Sequence, residues 1–393
     1  MKKAVIFPGK ARGRVKAPPS KSMAHRLMIC SFLAEGDLIL PESDSMDTLA
    51  TRRCLEELER FRRGEAAPDS LRLPAGESGS TLRFLLPYAL TLSERVTFTG
   101  AERLFERPLS VYEDICRQKG FLFEKEKASL TVRGDLAPDT YKCPGNISSQ
   151  FVSGLLFALP LLEGGSKIML EPPVESLPYI EMTLKALSLF GVKAVRRDNV
   201  IEIPGKQRYV PCRASVEGDY SNAAFLSALS LFGGEVEVEG LLPDSVQGDR
   251  IYGEYFARLA RGFAELDISD CPDLGPVLFA VAAGLSGGRF TGTARLRLKE
   301  SDRAAAMEKE LLKFGIRCRN GENSFTVFPG VPKKPEAPLS GHNDHRIVMA
   351  LCTLLTVTGG ELLGAEAADK SFPEYFDTLK KLGIKAEIYA VDQ

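Results

Sequence analysis

The sequence predicts an α/β protein of two halves, each with three repeats, in which helices form the interior and sheets lie outside. One pattern occurs six times: a small polar cluster, an apolar run of helix length, a turn and a short strand. The first helix of each copy is apolar on nearly all sides, which is typical of a helix buried in a core. An ordinary doubly wound sheet with unrelated helices is the alternative architecture.

The spacing of the copies indicates the two halves. The copies are SKSMAHRLMICSFLAEGDLIL, SGSTLRFLLPYALTLSERVTFTG, NISSQFVSGLLFALPLLEGGSKIML, GDYSNAAFLSALSLFGGEVEVEG, PDLGPVLFAVAAGLSGGRFTGT and NDHRIVMALCTLLTVTGGELLG. Markers at Ser22, Gly79, Ser148, Tyr220, Asp273 and Asp344 are separated by 57, 69, 72, 53 and 71 residues. A second, amphipathic helix follows in each copy and usually ends at a glycine before another short strand, as in LKALSLFGVKAV.

Composition is typical of a globular protein and excludes some partners. The chain has 393 residues, 44% hydrophobic and 26% charged, enough for two or three domains, of which two fit the repeats. Its formal net charge is -1, so the chain lacks the excess of positive charge that nucleic-acid and membrane-surface proteins usually show. Any basic site must therefore be local.

The cysteines and the amino terminus predict a cytoplasmic protein. Eight cysteines lie far apart with no CxxC pair, which favours buried free thiols over disulfides. The start MKKAVIFPG has an apolar run too short for a signal peptide. No later run reaches the ~18 apolar residues of a membrane span.

Polar and cationic residues open most of the predicted helices. Serine and aspartate are ordinary N-caps, but a cation in the first turn opposes the helix dipole by roughly 0.3 to 1 kcal/mol and needs an anion. Free amides, hydroxyls and cations together predict sites for phosphate or carboxylate. We therefore expect the chain to bind two strongly anionic small molecules. First helices open with Ser20, Lys21, Ser22 and Arg26, with Ser78, Ser80, Thr81 and Arg83, with Ser148, Ser149 and Gln150, with Asp219, Ser221 and Asn222, with Asp273, and with Asn343, Asp344, His345 and Arg346. Second helices open with Glu106, Arg107 and Pro108, with Ser176, Pro178 and Tyr179, with Lys299, Glu300, Asp302 and Arg303, and with Lys370, Ser371 and Pro373.

Ten motifs in order resemble one enzyme family over almost the whole chain. They are PPSKSMAHR, GESGSTLRF, ERP, SSQF, SLPYI, EGDYS, PD, LKESDR, NDHR and KSFPEYF. Each motif is weak alone, but their order and spacing are specific. The chain resembles the 5-enolpyruvylshikimate-3-phosphate (EPSP) synthases, also called 3-phosphoshikimate 1-carboxyvinyltransferases.

The resemblance implies a fold and a reaction. The fold is an α/β, inside-out, two-domain enolpyruvyl transferase fold with three βαβαββ repeats per domain. One domain would be residues 18–214 and the other 1–17 plus 215–393, with crossings near Ala17 and Ala214 and the active site in the cleft between them. The reaction transfers the enolpyruvyl group of phosphoenolpyruvate to shikimate 3-phosphate and releases phosphate, on the shikimate pathway to chorismate and aromatic amino acids. Neither metal nor organic cofactor is implied, and we expect a monomer without nucleic-acid or membrane partners.

The resemblance also implies roles for individual residues. Glu300 would be the acid that protonates the methylene carbon and Asp273 the base, with Lys21 as another proton donor. Without the resemblance, Glu300 and Arg303 could be a helix-surface ion pair and Asp273 a cap after Pro272. Shikimate 3-phosphate would contact Lys21, Ser22, Arg26, Ser148, Ser149, Gln150, Ser176, Tyr179, Asp273 and Lys299. Phosphoenolpyruvate would contact Lys21, Gly79, Arg107, Gln150, Arg303, Arg346 and Lys370.

Two positions depart from the family pattern. Glu77 and Arg295 each stand where the family leads us to expect asparagine, and neither is assigned a contact. Gly79 keeps the small residue that, in the family, leaves room for phosphoenolpyruvate and the inhibitor glyphosate.

Two other functions compete with this interpretation. The UDP-N-acetylglucosamine enolpyruvyl transferases share the chemistry, but they have asparagine after the first lysine and a cysteine-bearing loop, whereas this chain has Ser22 and a cysteine-free AERLFERP. A nucleic-acid-binding repeat protein is disfavoured by the balanced charge and by the lack of aromatics among the basic motifs.

Overall fold

The computed structural model describes residues 1–65 and 71–391. By its internal contacts the chain forms two compact units. Unit 1 combines Met1–Pro18 with Glu217–Gln393, and unit 2 is Pro19–Val216. The chain therefore leaves unit 1 after Pro18 and returns to it after Val216, where the sequence predicts crossings near Ala17 and Ala214.

Both units contain helices and strands in a mixed order. Unit 1 begins with β1 (Lys2–Ile6) and β2 (Arg12–Lys16). Unit 2 contains α1 (Lys21–Leu33), α2 (Met46–Arg62), β3 (Leu71–Gly76), α3 (Gly79–Ala89), β4 (Arg95–Gly100), α4 (Glu102–Glu106), α5 (Ser110–Lys119), β5 (Leu122–Lys125), β6 (Ser129–Arg133), β7 (Thr140–Pro144), α6 (Ser149–Ala158), β8 (Ser166–Glu171), α7 (Leu177–Leu189), β9 (Val195–Arg197) and β10 (Val200–Ile203). Unit 1 continues with α8 (Tyr220–Leu231), β11 (Glu235–Glu239), α9 (Tyr252–Ala260), β12 (Ala264–Asp267), α10 (Gly275–Gly284), β13 (Gly288–Thr291), α11 (Arg303–Lys313), β14 (Cys318–Asn320), β15 (Ser324–Val327), β16 (Leu339–Ser340), α12 (His345–Thr358), β17 (Gly360–Leu363), α13 (Tyr375–Lys381) and β18 (Ala386–Ala390).

Four sheets share one topology. Their strand orders are β3-β4-β6-β5 and β7-β8-β10-β9 in unit 2, and β12-β13-β15-β14 and β16-β17-β1-β18 in unit 1. In each sheet the first two strands are parallel and the other pairs antiparallel. The amino-terminal strand β1 thus completes the repeat that ends the chain.

Two copies are reduced, which corrects the prediction of six complete repeats. In the described part of the first copy, α1 leads to α2 without a strand, and the predicted strand GDLIL is irregular. The backbone amide of Ile39 there bonds the Ser31 hydroxyl, at 3.1 Å, instead of a neighbouring strand. In the fourth copy, β11 pairs only with β2, in parallel. A short apolar run cannot show whether a partner strand is present to pair with it.

The first helices of the repeats form the interior of each unit. Every residue from Met23 to Phe32 of α1 and from Gly275 to Ala283 of α10 is buried. The predicted α/β fold with buried helices is confirmed. All eight cysteines are free thiols, six buried and two half-buried, as predicted. Within the described residues, the helices are too short or too polar to cross a membrane.

Candidate active site

Serines cap the first helices of the three repeats in unit 2, which agrees with the preference for serine at helix N-caps. Ser20, Ser78 and Ser148 accept hydrogen bonds from the backbone amides of Met23, Thr81 and Gln150, at 3.4, 3.2 and 3.3 Å. Each bond satisfies a first-turn amide that has no partner inside its helix. Side chains beyond these caps then join the first turns to one another.

Arg26 joins α1 to α6 and α7. Its guanidinium donates to the Thr183 hydroxyl at 2.8 Å and to the carbonyls of Ser22 and Tyr179 at 2.6 and 2.8 Å. It also reaches the Ser153 hydroxyl at 3.4 Å. The side chain is only 2% exposed, and burial lowers the pKa of Arg26 to about 10. The predicted ligand residues Ser22 and Tyr179 are therefore brought together by Arg26.

Lys21 has an internal counter-charge. Its ammonium lies 2.8 Å from the Asp47 carboxylate, and both side chains are largely buried. Asp47 stands in the first turn of α2, where a negative charge is favoured by the helix dipole. The cation that sequence reasoning assigned to an external anion is thus partly neutralised by the protein.

Gly79, Arg107 and Gln150 meet around Arg83. A Cβ added to Gly79 would lie 2.7 Å from Nη1 of Arg107 and 3.1 Å from Nη1 of Arg83. Arg83 donates to the Gln150 amide oxygen at 2.7 Å and to the Pro108 carbonyl at 2.8 Å. Arg107 does not open a helix as predicted, because α4 ends at Glu106 and α5 begins at Ser110.

The remaining predicted residues of unit 2 lie at the starts of α6 and α7. Ser148 caps α6 and Ser149 is its first residue, half-exposed and buried respectively. Ser176 precedes α7 with a left-handed φ of 55° and is 1% exposed. Because α6 packs against both α3 and α7, these residues share the end of the unit that holds Arg26 and Gln150.

In unit 1, Arg303 binds three carboxylates. It donates to Asp344, Asp273 and Glu300, each at 2.8 Å. Arg303 is 1% exposed and Asp344 is fully buried, so a helix-surface pair of Glu300 and Arg303 is excluded. Three carboxylates at once hold the guanidinium in one orientation.

Asp273 is surrounded by cations. Its carboxylate lies 2.8 Å from Arg303, 3.1 Å from Arg346 and 3.2 Å from Lys299. Burial lowers the pKa of Lys299, while the charge of Asp273 opposes that shift. The carboxyl assigned as base and the cations assigned as ligand residues are therefore in direct contact.

Arg346 is buried with part of its bonding capacity unused. It is 3% exposed, and within its guanidinium only Nη2 bonds a carboxylate of the described residues, that of Asp273. Among the described residues, Nε and Nη1 have no hydrogen-bond partner. Nε of Arg107 in unit 2 is in the same situation. A buried guanidinium nitrogen without an acceptor is costly, so these atoms indicate sites for an anionic ligand.

Lys370 is the last of the predicted contact residues, and Arg295 and Glu77 are the two positions that depart from the family pattern. The Lys370 ammonium donates to the Asn343 carbonyl at 2.9 Å, just before α12. Arg295 is 5% exposed, and its positive charge also lowers the pKa of Lys299. Glu77 is exposed directly before the Ser78 cap. The part of the chain that the structure describes holds no cluster of three or more His, Cys, Asp or Glu side chains suited to a metal ion.

Sequence comparison identifies the family of this chain. The pattern described as EPSP synthase (3-phosphoshikimate 1-carboxyvinyltransferase) matches residues 7–261 and 253–379. A 3-phosphoshikimate 1-carboxyvinyltransferase of Clostridium kluyveri is 37% identical over 429 positions that cover all of both chains. Its namesake from Clostridium perfringens is 38% identical over 98% of this chain and 99% of its own. The chain belongs to the EPSP synthase family.

Solved structures share the fold of this EPSP synthase family member. An EPSP synthase from Acinetobacter baumannii superposes with a TM-score of 0.74 at 21% identity, covering 99% of this chain and all of its own. The enolpyruvyl transferase NikO from Streptomyces tendae gives 0.75 at 14% identity, over 100% of this chain and 99% of its own. The 429 aligned positions exceed the 393 residues here, so the clostridial relative has segments that this chain lacks.

Sequence reasoning missed the contacts of two carboxylates that bond the predicted cations of this EPSP synthase family member. The sequence does not single out Asp47, and it marks Asp344 only as a helix start. The pattern SDSMD indicates Asp47 weakly, because it places an acidic residue two positions after the serine that caps α2. Asp344 lies inside the motif NDHR that carried the resemblance. In neither case does the sequence show which cation the carboxylate meets.

Proposed function

We propose that this chain transfers the carboxyvinyl group of phosphoenolpyruvate to a hydroxyl of shikimate 3-phosphate and releases phosphate, the reaction in the name of its family. The observation that carries the proposal is Arg346. A guanidinium that is 3% exposed leaves Nε and Nη1 without partners among the described residues. A carboxylate or phosphate would satisfy both nitrogens with charge-assisted hydrogen bonds.

Phosphoenolpyruvate, in this proposal, is held by cations and by the space at Gly79. The absence of a Cβ there leaves the end of Arg107 in place, and Arg83 keeps Gln150 oriented beside it. Carboxylate and phosphate together require several donors, since an isolated pair of charges is expensive to desolvate. The proposed contacts are Lys21, Gly79, Arg107, Gln150, Arg303, Arg346 and Lys370.

Shikimate 3-phosphate would bind mainly to the starts of α1, α6 and α7. Hydroxyls and free first-turn amides suit its phosphate. Arg26 donates to protein atoms on all three helices, so its main effect would be to hold Ser22 and Tyr179 in position. The proposed contacts are Lys21, Ser22, Arg26, Ser148, Ser149, Gln150, Ser176, Tyr179, Asp273 and Lys299.

The reaction has two stages, an addition and an elimination, and each stage needs two proton transfers. In the addition, the hydroxyl oxygen of shikimate 3-phosphate bonds to C2 of phosphoenolpyruvate and loses its proton to Asp273, while the methylene carbon takes a proton from Glu300. In the elimination, the C2–O bond to phosphate breaks, the leaving phosphate takes the proton from Asp273, and the new methyl group returns a proton to Glu300, which restores the double bond. Lys21 is the alternative donor. Asp273 and Glu300 both bond Arg303, which fixes their separation.

Phosphate release tests the function. We expect phosphate from phosphoenolpyruvate only when shikimate 3-phosphate is present. UDP-N-acetylglucosamine in its place is the control for the other enolpyruvyl transferases and should give none. Shikimate 3-phosphate should also raise the melting temperature, whereas the UDP-sugar and RNA should not. Phosphate release with the UDP-sugar alone would contradict the proposal.

We also propose that the chain acts as a cytoplasmic monomer without nucleic-acid or membrane partners. Its formal charge of -1 and its free thiols support this assignment. Light scattering of the purified protein should give the mass of one chain, 43.0 kDa.

A further inference from the structure

The turn before α12 holds two residues in the left-handed region of the backbone. His342 and Asn343, between β16 and α12, have φ values of 48° and 51°, and neither is a glycine. This conformation is uncommon for residues that have a Cβ, and it persists only where the surrounding structure holds it. The groups that hold the turn therefore indicate what it does.

The His342 side chain anchors this turn to α11. Its Nε2 lies 2.9 Å from Oε1 of Glu310, and because a carboxylate can only accept, the imidazole donates. Glu310 is fully buried, in the same helix as Arg303, and its Oε2 accepts from the Ser340 amide at 3.0 Å. Burial by itself would raise the pKa of Glu310, but hydrogen bonds from His342 and Lys313 lower it below its ordinary value. Glu310 is therefore an ionised and fixed acceptor for His342.

The same turn directs the Asn343 carbonyl to Lys370. The Lys370 ammonium donates to this carbonyl at 2.9 Å, and the residue is 7% exposed. A lysine ammonium stands on a flexible four-carbon stem, so it keeps one position only when a fixed acceptor holds it. The direction of the carbonyl depends on the dihedral angles of the turn. Because His342 immediately precedes Asn343, its anchor on Glu310 keeps the carbonyl aimed at Lys370.

We propose that His342 is a positioning residue for Lys370, acting from Glu310 through the left-handed turn to the Asn343 carbonyl. The proposal rests on the proposed function, in which Lys370 binds phosphoenolpyruvate. An ammonium that is held in place before the substrate arrives loses less conformational freedom on binding, which strengthens binding. His342 acts in this way without contact to the substrate.

Two variants of His342 that differ by one methylene group test the inference. In His342→Asn the side-chain amide ends near the former position of Nδ1 and does not reach Glu310. Asparagine also adopts the left-handed region readily, so this variant removes the hydrogen bond without adding backbone strain. In His342→Gln the amide extends to the former position of Nε2 and can again donate to Glu310.

The readout is the KM for phosphoenolpyruvate, measured by phosphate release at saturating shikimate 3-phosphate. His342→Asn should raise this KM roughly 3- to 10-fold, the effect of losing one hydrogen bond. His342→Gln should stay close to the wild type. In both variants kcat and the KM for shikimate 3-phosphate should change little, because only the position of Lys370 is affected.

Lys370→Met shows whether the effect passes through the ammonium. This variant should raise the KM for phosphoenolpyruvate, and adding His342→Asn to it should then have almost no further effect, because the group that His342 positions is gone. A merely structural role of His342 would act equally with and without the Lys370 ammonium.

The outcomes separate this inference from the proposed function. With an active wild type, the inference is wrong if His342→Asn keeps the wild-type KM, if His342→Gln fails to restore it, or if His342→Asn has its full effect in the Lys370→Met background. Should His342→Asn fail to fold, His342→Gly takes its place, since glycine adopts the left-handed region without strain. A wild type that releases no phosphate with both substrates present would overturn the proposed function and this inference with it.

Discussion

Replacing Gly79 by alanine should weaken phosphoenolpyruvate binding by displacing Arg107. The new Cβ would lie 2.7 Å from Nη1 and 2.9 Å from Cζ of Arg107, where ordinary contact begins near 3.4 Å. Arg83, 3.1 Å away, is held by Gln150 and the Pro108 carbonyl. Arg107 is therefore the side chain that must move, by about 0.7 Å or more at its end.

The size of the effect follows from the bond that is disturbed. A charge-assisted hydrogen bond to an anion contributes about 1.5 to 3 kcal/mol. Losing it corresponds to a rise in KM for phosphoenolpyruvate of about 10- to 150-fold. If Arg107 binds the ground state and the transition state equally, kcat should stay nearly unchanged. The KM for shikimate 3-phosphate should change little.

The assay is phosphate release against phosphoenolpyruvate concentration, with Gly253→Ala as the matched control. Gly253 lies in α9, and a Cβ there meets no atom within 4 Å. The control should keep wild-type kinetics. A Gly79→Ala variant with an unchanged KM would refute the reasoning, since it would show that the position of Arg107 does not affect binding.

Three further predictions concern acid catalysis, the buried ion cluster and pH. Glu300→Gln should lower kcat by about 10² to 10⁴ with little change in either KM, because the amide fits but cannot deliver a proton; a near-normal kcat would transfer the acid role to Lys21. Asp344→Asn should lower the free energy of unfolding by about 3 kcal/mol, because it removes one counter-charge from the buried Arg303. Urea unfolding measures this change, and an unchanged midpoint of the unfolding transition would contradict it. Burial lowers the pKa of His25 to about 3 in the folded chain. In the unfolded chain the pKa of histidine is ~6.5, so only the unfolded chain binds this proton between about pH 6.5 and about pH 3. The free energy of unfolding should therefore fall by roughly 3 kcal/mol between about pH 7 and about pH 4. His25→Asn should flatten that dependence in urea titrations at the two pH values, and an equal slope would show that other groups cause it.

The repeats and the family could be predicted from the sequence because both depend on local patterns. A helix such as α10, apolar on every side, can only be stable when buried. The ten motifs keep their order and spacing whatever contacts they make. The fold class and the EPSP synthase family were therefore both confirmed. The division of roles among Glu300, Asp273 and Lys21 stays a prediction.

The sequence by itself determined which helices are buried and most of the side chains that stand at their starts, although Arg107 does not open a helix. Only the tertiary structure decided that Arg303 binds three carboxylates, that Asp47 partly neutralises Lys21 and that two nitrogens of Arg346 have no partner among the described residues. It also decided that the first repeat has no strand among its described residues. The physical reason is that periodicity is a property of neighbouring residues, whereas ion pairs, strand pairs and buried unsatisfied atoms depend on residues far apart in the chain.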